Sequence, residues 1–577
     1  MPTPDRIINH LPAVAGIPLA ALFSIYLIYL ANRYYNLRRK EFQPLPVFYM
    51  GLFWVLFFLA FLLAIRLLWP LTLHGEAEDD PSSDKAISIN FLQINDVYEI
   101  SPLDNGRSGG LARVATLLKQ IKDTNANTYS VLSGDFVSPS ALGTIQLQNK
   151  EQVQGQQMID VLNSAKLDLA TFGNHEFDIS EQQLTDRMNQ STFGWVSSNV
   201  WHQKGVAYGQ FMQAKGSSAD PIPVTKVLTF TDKRGTAIRV GVLGITIGST
   251  IRPWVFYGKY DSCINIALAQ LRGRCDVIVA LTHVDLADDI RIAQKFPEIN
   301  LIMGGHEHKA SYNQVGHTII AKADANVRTV YLHNLVYSKK DHRLAISSRL
   351  LRIDSTLKED ADTRSVVDLW NNKGDSIWKS QRLSPCEVLC PLATPYDGTE
   401  DKIRYDTTNL TNVIANSMLA SVKGAQLCLY NSGSIRIDDF IRDRVTQYDI
   451  IRTLPYGGKI CLANIKGEMI KKMLAISDTS KGNGCYLQHD TAIRKGSDGK
   501  WKLQGKDIAD GQKYRVAIND YLLDGRQERM EFLATINKSD IDRPDSTEPL
   551  RIDIRQAIIH YLKKGPTTLL PLKVPCY

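Results

Sequence analysis

No block of basic residues and no ladder of alternating aromatic and basic side chains occurs in this chain of 577 residues, and its net charge of +7 is small for that length. A nucleic-acid polymer is therefore excluded as the expected partner. Cysteine is missing before Cys263; all eight residues, Cys263, Cys275, Cys386, Cys390, Cys428, Cys461, Cys485 and Cys576, lie beyond that point. An even count confined to that part fits disulfides in an oxidising compartment, with the close pairs Cys263/Cys275 and Cys386/Cys390 as the expected bridges. No second pair of ligands stands near Cys386 and Cys390, which ranks a zinc site there below a disulfide. The N-terminus has neither the basic start nor the small-residue cleavage site of a signal peptide. It opens with Asp5 and Arg6, and Asn32-Arg33-Tyr34 follows its first apolar run.

Two long apolar stretches do occur, Leu11 to Ala31 and Leu45 to Leu68, each close to the ~20 residues that cross a bilayer as a helix. They predict a membrane anchor over residues 1–72, a two-helix transmembrane hairpin in contact with the lipid bilayer. Arg33, Arg38, Arg39 and Lys40 lie between the stretches, and Glu76, Glu78, Asp79 and Asp80 follow the second. The short basic loop is then cytoplasmic and both termini face outward. This predicts a multi-pass membrane protein whose catalytic part is periplasmic, or extracellular in a eukaryote.

After a polar linker, strand-like runs alternate with helical patterns such as LARVATLLKQIK and QQMIDVLNSA up to about Asp354, which predicts a layered α/β domain over 86–355. Helical spacing continues through a connecting segment, 356–382. A second α/β unit is expected over 383–577, with strands at AQLCLYN and KYRVAIND and helices at LTNVIANSMLAS and GEMIKKMLAIS.

Five short apolar runs stop on residues able to bind a metal: Asp96, Asp135, Asn174 with His175, His283, and His306 with His308. Buried strands read as continuous apolar runs, so the five would collect their ligands along one edge of a sheet, where open α/β folds bind ligands. One such residue would carry little weight; five in order carry much more.

Gly173-Asn174-His175-Glu176 with Asp178, Gly304-Gly305-His306-Glu307-His308, Gly134-Asp135 and Thr282-His283 together resemble the metallophosphoesterase superfamily and, within it, the 5'-nucleotidase family. In the second unit the resemblance rests on Asn431-Ser432-Gly433-Ser434-Ile435-Arg436, Leu454-Pro455-Tyr456-Gly457-Gly458 and Asn519-Asp520-Tyr521. It covers nearly everything after residue 85 and implies an α/β fold: a four-layer metallophosphoesterase β-sandwich with helices, joined by a helix to a smaller α/β substrate domain.

The resemblance implies two divalent cations, one held by Asp96, Asp135 and His308 and the other by Asp135, Asn174, His283 and His306. Such a pair supplies a hydroxide nucleophile at neutral pH and neutralises phosphoryl oxygens. Mixed oxygen and imidazole ligands suit zinc, manganese or cobalt better than calcium or magnesium. His175 would face the substrate as a catalytic residue, with Asp178 holding its ring; Asp178 could equally cap a helix beginning at Ile179. Relatives commonly carry Asp-x-His at the first motif, whereas this chain reads Asp96-Val97-Tyr98. Tyrosine, with an ordinary pKa of ~10, is a poor ligand for these ions, so the first site is expected to be one ligand short.

For the substrate, the resemblance implies base stacking on Tyr456 and Tyr521, phosphate contacts from Arg404 and Arg436, and a polar contact from Asn431. The bland reading makes the tyrosines core residues and the arginines surface charges. Gly525-Arg526-Gln527-Glu528 stands where relatives often show Gly-Gly-Asp-Gly, whose aspartate holds ribose hydroxyls. The reading adopted is a two-metal phosphoric ester hydrolase acting on a small phosphorylated metabolite, foremost a nucleotide. A 2',3'-cyclic nucleotide phosphodiesterase, a nucleotide-sugar hydrolase and a catalytically weak membrane-tethered nucleotide-binding protein remain alternatives.

Overall fold

The computed structural model describes residues 86–565 apart from Asn149, Ser217 and Arg234. The expected membrane anchor over 1–72 lies outside the described residues. Among the described residues no helix is long and apolar enough to cross a membrane.

Two six-stranded sheets form the first half. One has the order Arg343–Arg352, Thr329–Ser338, Ala86–Ile94, Thr128–Ser133, Leu169–Thr171, Gly194–Trp195; the other has the order Ser311–Val315, Thr318–Lys322, Leu301–Gly304, Val277–His283, Ala237–Thr246, Thr225–Thr231. Central neighbours pair in parallel, such as Ala86–Ile94 with Thr128–Ser133 and Val277–His283 with Leu301–Gly304.

Alternation of side chains along the strands explains the layering. Ile87, Ile89 and Phe91 meet Val240, Val242, Val279 and Leu281 between the sheets, while Leu92 and Ile94 share an outer core with Leu111, Val114, Leu118 and Ile121 of the helix Leu111–Thr124. Those four recur at spacings of three and four, one helical face. Helices Tyr260–Leu271 and Leu286–Lys295 cover the second sheet through Ile264, Leu268 and Ile292. Helix, sheet, sheet and helix make the four expected layers.

The helix Ala361–Ser380 is capped by Asp360, whose carboxylate accepts from Thr363 N at 3.0 Å. Val367, Trp370 and Trp378 on its buried stripe join one continuous core with Leu142 on one side and Leu410, Ile414 and Ile451 on the other. Beyond it, a five-stranded sheet runs Leu487–His489, Leu427–Asn431, Lys513–Asn519, Ile460–Lys466, Ile541–Asp542.

Two details correct the sequence reading. Cys263, Cys275 and Cys390 are free thiols, whereas Cys386 is disulfide-bonded, so neither expected bridge exists. Cys263 lies in a helix that runs on to Leu271, and a rise of ~1.5 Å per residue carries the chain past the ~7 Å reach of a disulfide. Cys390 lies on the extended segment Val388–Pro391, which leads away from Cys386. The other correction concerns Asp178. The helix after it is Glu181–Gln190, capped by Ser180 with a reciprocal contact from Gln183, so Asp178 caps nothing there.

Candidate metal centre

The chemistry-bearing residues follow strand ends, but of two sheets rather than one. Asp96, Asp135 and Asn174 come just after Ala86–Ile94, Thr128–Ser133 and Leu169–Thr171; His283 ends Val277–His283; His306 and His308 follow Leu301–Gly304. The two sheet edges face each other, and Gln93 ties them by donating from Nε2 to Gly304 O and Ala321 O, each at 2.9 Å.

Four of the predicted ligands are in direct contact. His283 Nε2 lies 3.1 Å from Asp135 Oδ2 and 3.8 Å from Asp96 Oδ1, and His308 Nε2 lies 3.4 Å from Asp96 Oδ1. One donor atom each from Asp96, Asp135 and His283 lies within 4.8 Å of the others, and all three residues are buried. The His306 ring stands 5.2 Å from that of His283, with its Nε2 3.4 Å from Asp285 Oδ1. Its backbone N–H donates to Asp96 Oδ2 at 3.0 Å.

Backbone strain concentrates here. Asp96, Asp135, His306 and His308 have φ of 53°, 58°, 94° and 57°, a left-handed region that costs side-chain-bearing residues energy and that clusters at functional sites. Glycines permit the crowding: a Cβ on Gly173 would lie 2.1 Å from Asp135 Oδ1, and one on Gly134, at φ +78°, would lie 2.7 Å from His283 Nδ1.

The donor set fits divalent cations. His283 Nδ1 lies 2.7 Å from Ser133 O, to which it donates, which turns Nε2 toward the carboxylates, where it carries a proton or, with that proton displaced, offers its lone pair to a cation. That nitrogen is buried and makes no hydrogen bond, and neither does buried Asn174 Oδ1. Buried polar atoms are normally satisfied, and a cation among two carboxylates, an amide oxygen and imidazoles would satisfy all of them. The field points the same way. Burial lowers the His283 pKa, but Asp135 and Asp96 outweigh it and raise it to about 9, and the imidazoles in turn hold both carboxylates below their ordinary range against the opposing effect of burial.

His175 occupies the edge of this group. Its Nδ1 contacts Asp178 Oδ2, its Nε2 is 4.0 Å from Asp135 Oδ2, and its backbone N–H donates to Asp135 Oδ1 at 2.8 Å. Burial lowers its pKa, yet Asp178 and Asp135 carry it to about 9. Tyr98, the departure from the usual motif, places Oη 2.8 Å from His308 Nε2 and 3.1 Å from Asp135 Oδ2. Burial, then Asp135 and Asp96, raise its pKa well above the ordinary value, so it stays a phenol.

Sequence reasoning missed one organiser. Glu176, fully buried, accepts from the backbone N–H of Asp135 (2.9 Å), Phe136 (2.8 Å), Val137 (3.1 Å) and Gly173 (2.5 Å). It builds the strained turn that presents Asp135. Its place in the Asn-His-Glu run was the available signal.

From the second half, Arg436 acts electrostatically on both His175 and Asp178, and its guanidinium lies 5.8 Å from the Tyr456 ring centre. Arg436 Nε is buried without a hydrogen-bond partner. Tyr456 and Tyr521 are 55% and 37% exposed, which removes the core-tyrosine reading. Arg404 is buried, pairs with Glu400 and reaches Ser432 Oγ at 3.3 Å, so it is no free surface charge. Asn431 Oδ1 accepts from Asn519 Nδ2 at 2.9 Å and Ser434 Oγ at 2.7 Å. Gln527 is turned inward, its Nε2 2.8 Å from Cys485 Sγ, and Arg526 covers the Tyr521 ring at 5.0 Å.

Residues 89–310 match the calcineurin-like phosphoesterase family, and residues 391–535 match the 5'-nucleotidase C-terminal domain. The trifunctional nucleotide phosphoesterase protein YfkN of Bacillus subtilis is 25% identical over 73% of this chain, which spans only 30% of that protein. Protein UshA of Yersinia enterocolitica is 23% identical, with 76% of this chain and 86% of UshA covered. Among solved structures, the 5'-nucleotidase precursor from Thermus thermophilus superposes with a TM-score of 0.61 at 19% identity, covering 83% of this chain and 96% of that one.

Proposed function

We propose that the chain, whose residues 89–310 match the calcineurin-like phosphoesterase family and 391–535 the 5'-nucleotidase C-terminal domain, is a member of the 5'-nucleotidase family that hydrolyses small phosphate esters, nucleotides foremost, with two divalent cations. The observation that carries this is the convergence of Asp96, Asp135 and His283 around an unsatisfied imidazole nitrogen.

Asp96, Asp135 and His308 would hold one ion, and Asp135, Asn174, His283 and His306 the other. When bound, the pair supplies a nucleophile at neutral pH and charge to stabilise the phosphoryl oxygens. The chain's own residues do the rest. His175, held by Asp178, presents a charged N–H to the phosphoryl group as negative charge develops. Arg436, with an unused Nε, and Arg404 take the substrate's phosphate end, and Asn431 frames the same loop. Tyr456 and Tyr521 receive the base. The functional domains are 86–355 and 383–577, joined by 356–382.

The inward turn of Gln527 favours a second reading. With no aspartate at this position and the glutamine directed at Cys485, recognition of free ribose hydroxyls is weakened, which suits a 2',3'-cyclic nucleotide or a nucleotide sugar. The apolar runs 11–31 and 45–68 would anchor the protein in a membrane with the hydrolase outside the cytoplasm.

Turnover by the full chain, with added Mn²⁺, Zn²⁺ or Co²⁺, tests this: phosphate release is read for nucleoside monophosphates, and chromatographic appearance of the nucleoside monophosphate product is read for cyclic nucleotides and nucleotide sugars. Turnover of monophosphates supports the main reading, and turnover of cyclic or sugar nucleotides alone supports the second. Binding without turnover of any of them would turn the assignment to a nucleotide-binding protein.

A further inference from the structure

We propose that Asp438 is a positioning residue for His308, so that the segment matching the 5'-nucleotidase C-terminal domain completes an ion site built by the phosphoesterase segment. This rests on the reading of His308 as a metal ligand.

His308 is held from both sides. Its Nδ1 is ion-paired with Asp438 Oδ2, while Nε2, across the ring, faces Asp96 Oδ1 at 3.4 Å and Tyr98 Oη at 2.8 Å. A carboxylate on one ring nitrogen fixes the tautomer, leaving the other nitrogen as the donor to a cation and making it more basic. Asp438 is well placed for this. Its Oδ1 accepts from the backbone N–H of Glu400 at 2.5 Å, so each oxygen has one task.

The loop that carries Asp438 is itself fastened to the phosphoesterase segment. Arg328 bridges Asp104 and Asp439, and Arg452 adds a 3.8 Å contact to Asp439. The carboxylate therefore reaches His308 only when the two segments pack as they do here. Tyr98 sharpens the point: the site it borders is one ligand short, so it depends more heavily on how well His308 is aimed. Asp438 thereby ties the packing of the substrate-binding segment to cation affinity at a single site, the one with Asp96 and His308.

The test is cation binding rather than turnover. The full chain, stripped with chelator, is titrated with Mn²⁺ by calorimetry, and bound metal is counted independently. Wild type should take two ions. Asp438→Ala should weaken one of them by about 10- to 100-fold and leave the other unchanged. Asp438→Asn, which keeps one acceptor oxygen, should lose less. Arg328→Gln, which loosens the same loop without touching His308, should weaken the same ion by no more than Asp438→Ala does and leave the other ion unchanged. Unaltered affinities in Asp438→Ala, or equal weakening of both ions in either variant, would each overturn the inference while leaving the two-ion reading intact. A wild type that binds fewer than two ions would overturn both. Should Asp438→Ala fail to fold, Asp438→Asn decides by the same criterion: a selective loss at one ion supports the inference, and none overturns it.

Discussion

His175 Nδ1 lies 2.7 Å from Asp178 Oδ2, so the ring has one nitrogen committed and the other free to face substrate. With burial opposing and Asp178 leading the groups that raise it, the His175 pKa stands at about 9. Removing Asp178 must lower it. His175→Ala should reduce kcat by about 10²- to 10⁴-fold with metal content unchanged. Asp178→Asn should keep partial activity, and the alkaline fall of its pH–rate profile should move to lower pH. Equal profiles in wild type and Asp178→Asn would remove the orienting role.

Tyr98 stands where an imidazole would complete the site with Asp96 and His308, and burial with two neighbouring carboxylates keeps it a phenol. Tyr98→His should raise affinity for one ion by roughly an order of magnitude, in line with the gain of one well-placed ligand. Calorimetric titration checks this. Unchanged affinity would show that the phenol's site is not a ligand position.

The proposed base site rests on Tyr456 and Tyr521, both exposed. Stacking is worth about 1–3 kcal/mol per base, so Tyr456→Ala should raise KM for nucleotides by about 5- to 150-fold and barely alter KM for a phosphate ester without a base. Equal effects on both substrates would make the tyrosine a structural residue.

His333 gives a pH-dependent stability. It is buried between Gln93 Oε1 at 2.8 Å and Ser348 Oγ at 2.7 Å, and burial drives its pKa down from 6.5 to about 3. The folded state thus binds fewer protons than the unfolded chain. Its contribution is complete above pH 6.5 and declines as pH falls toward 3, by about 4 to 5 kcal/mol in all. Wild-type Tm should drop more steeply between pH 6.5 and 4 than that of His333→Gln. Parallel curves would show that other groups govern acid unfolding.

What was legible in the sequence follows from how local each signal is. Asp96, Asp135, Asn174, His283, His306 and His308 each sit at or just past the end of an apolar strand, a pattern that short-range periodicity reveals. Helix positions such as Leu111, Val114, Leu118 and Ile121 were visible for the same reason. What stayed hidden depends on contacts between distant parts of the chain. That these six residues come from two sheets is set by the packing of Ile89 and Phe91 against Val240 and Val242. Glu176 organises the Asp135 turn from 41 residues away, and Asp438 meets His308 only through the docking of separate segments. Cysteine spacing misled because a helix and a strand carry the paired residues apart.

Asp135 is central, since it alone would be shared between the two ions. The decisive measurement is metal content together with phosphate release for the full chain and for Asp135→Ala, with Mn²⁺ in excess. The account predicts two bound ions and metal-dependent hydrolysis in wild type, and loss of bound metal with at least a ~10³-fold fall in turnover in the variant. Equal hydrolysis by a folded Asp135→Ala protein would contradict it.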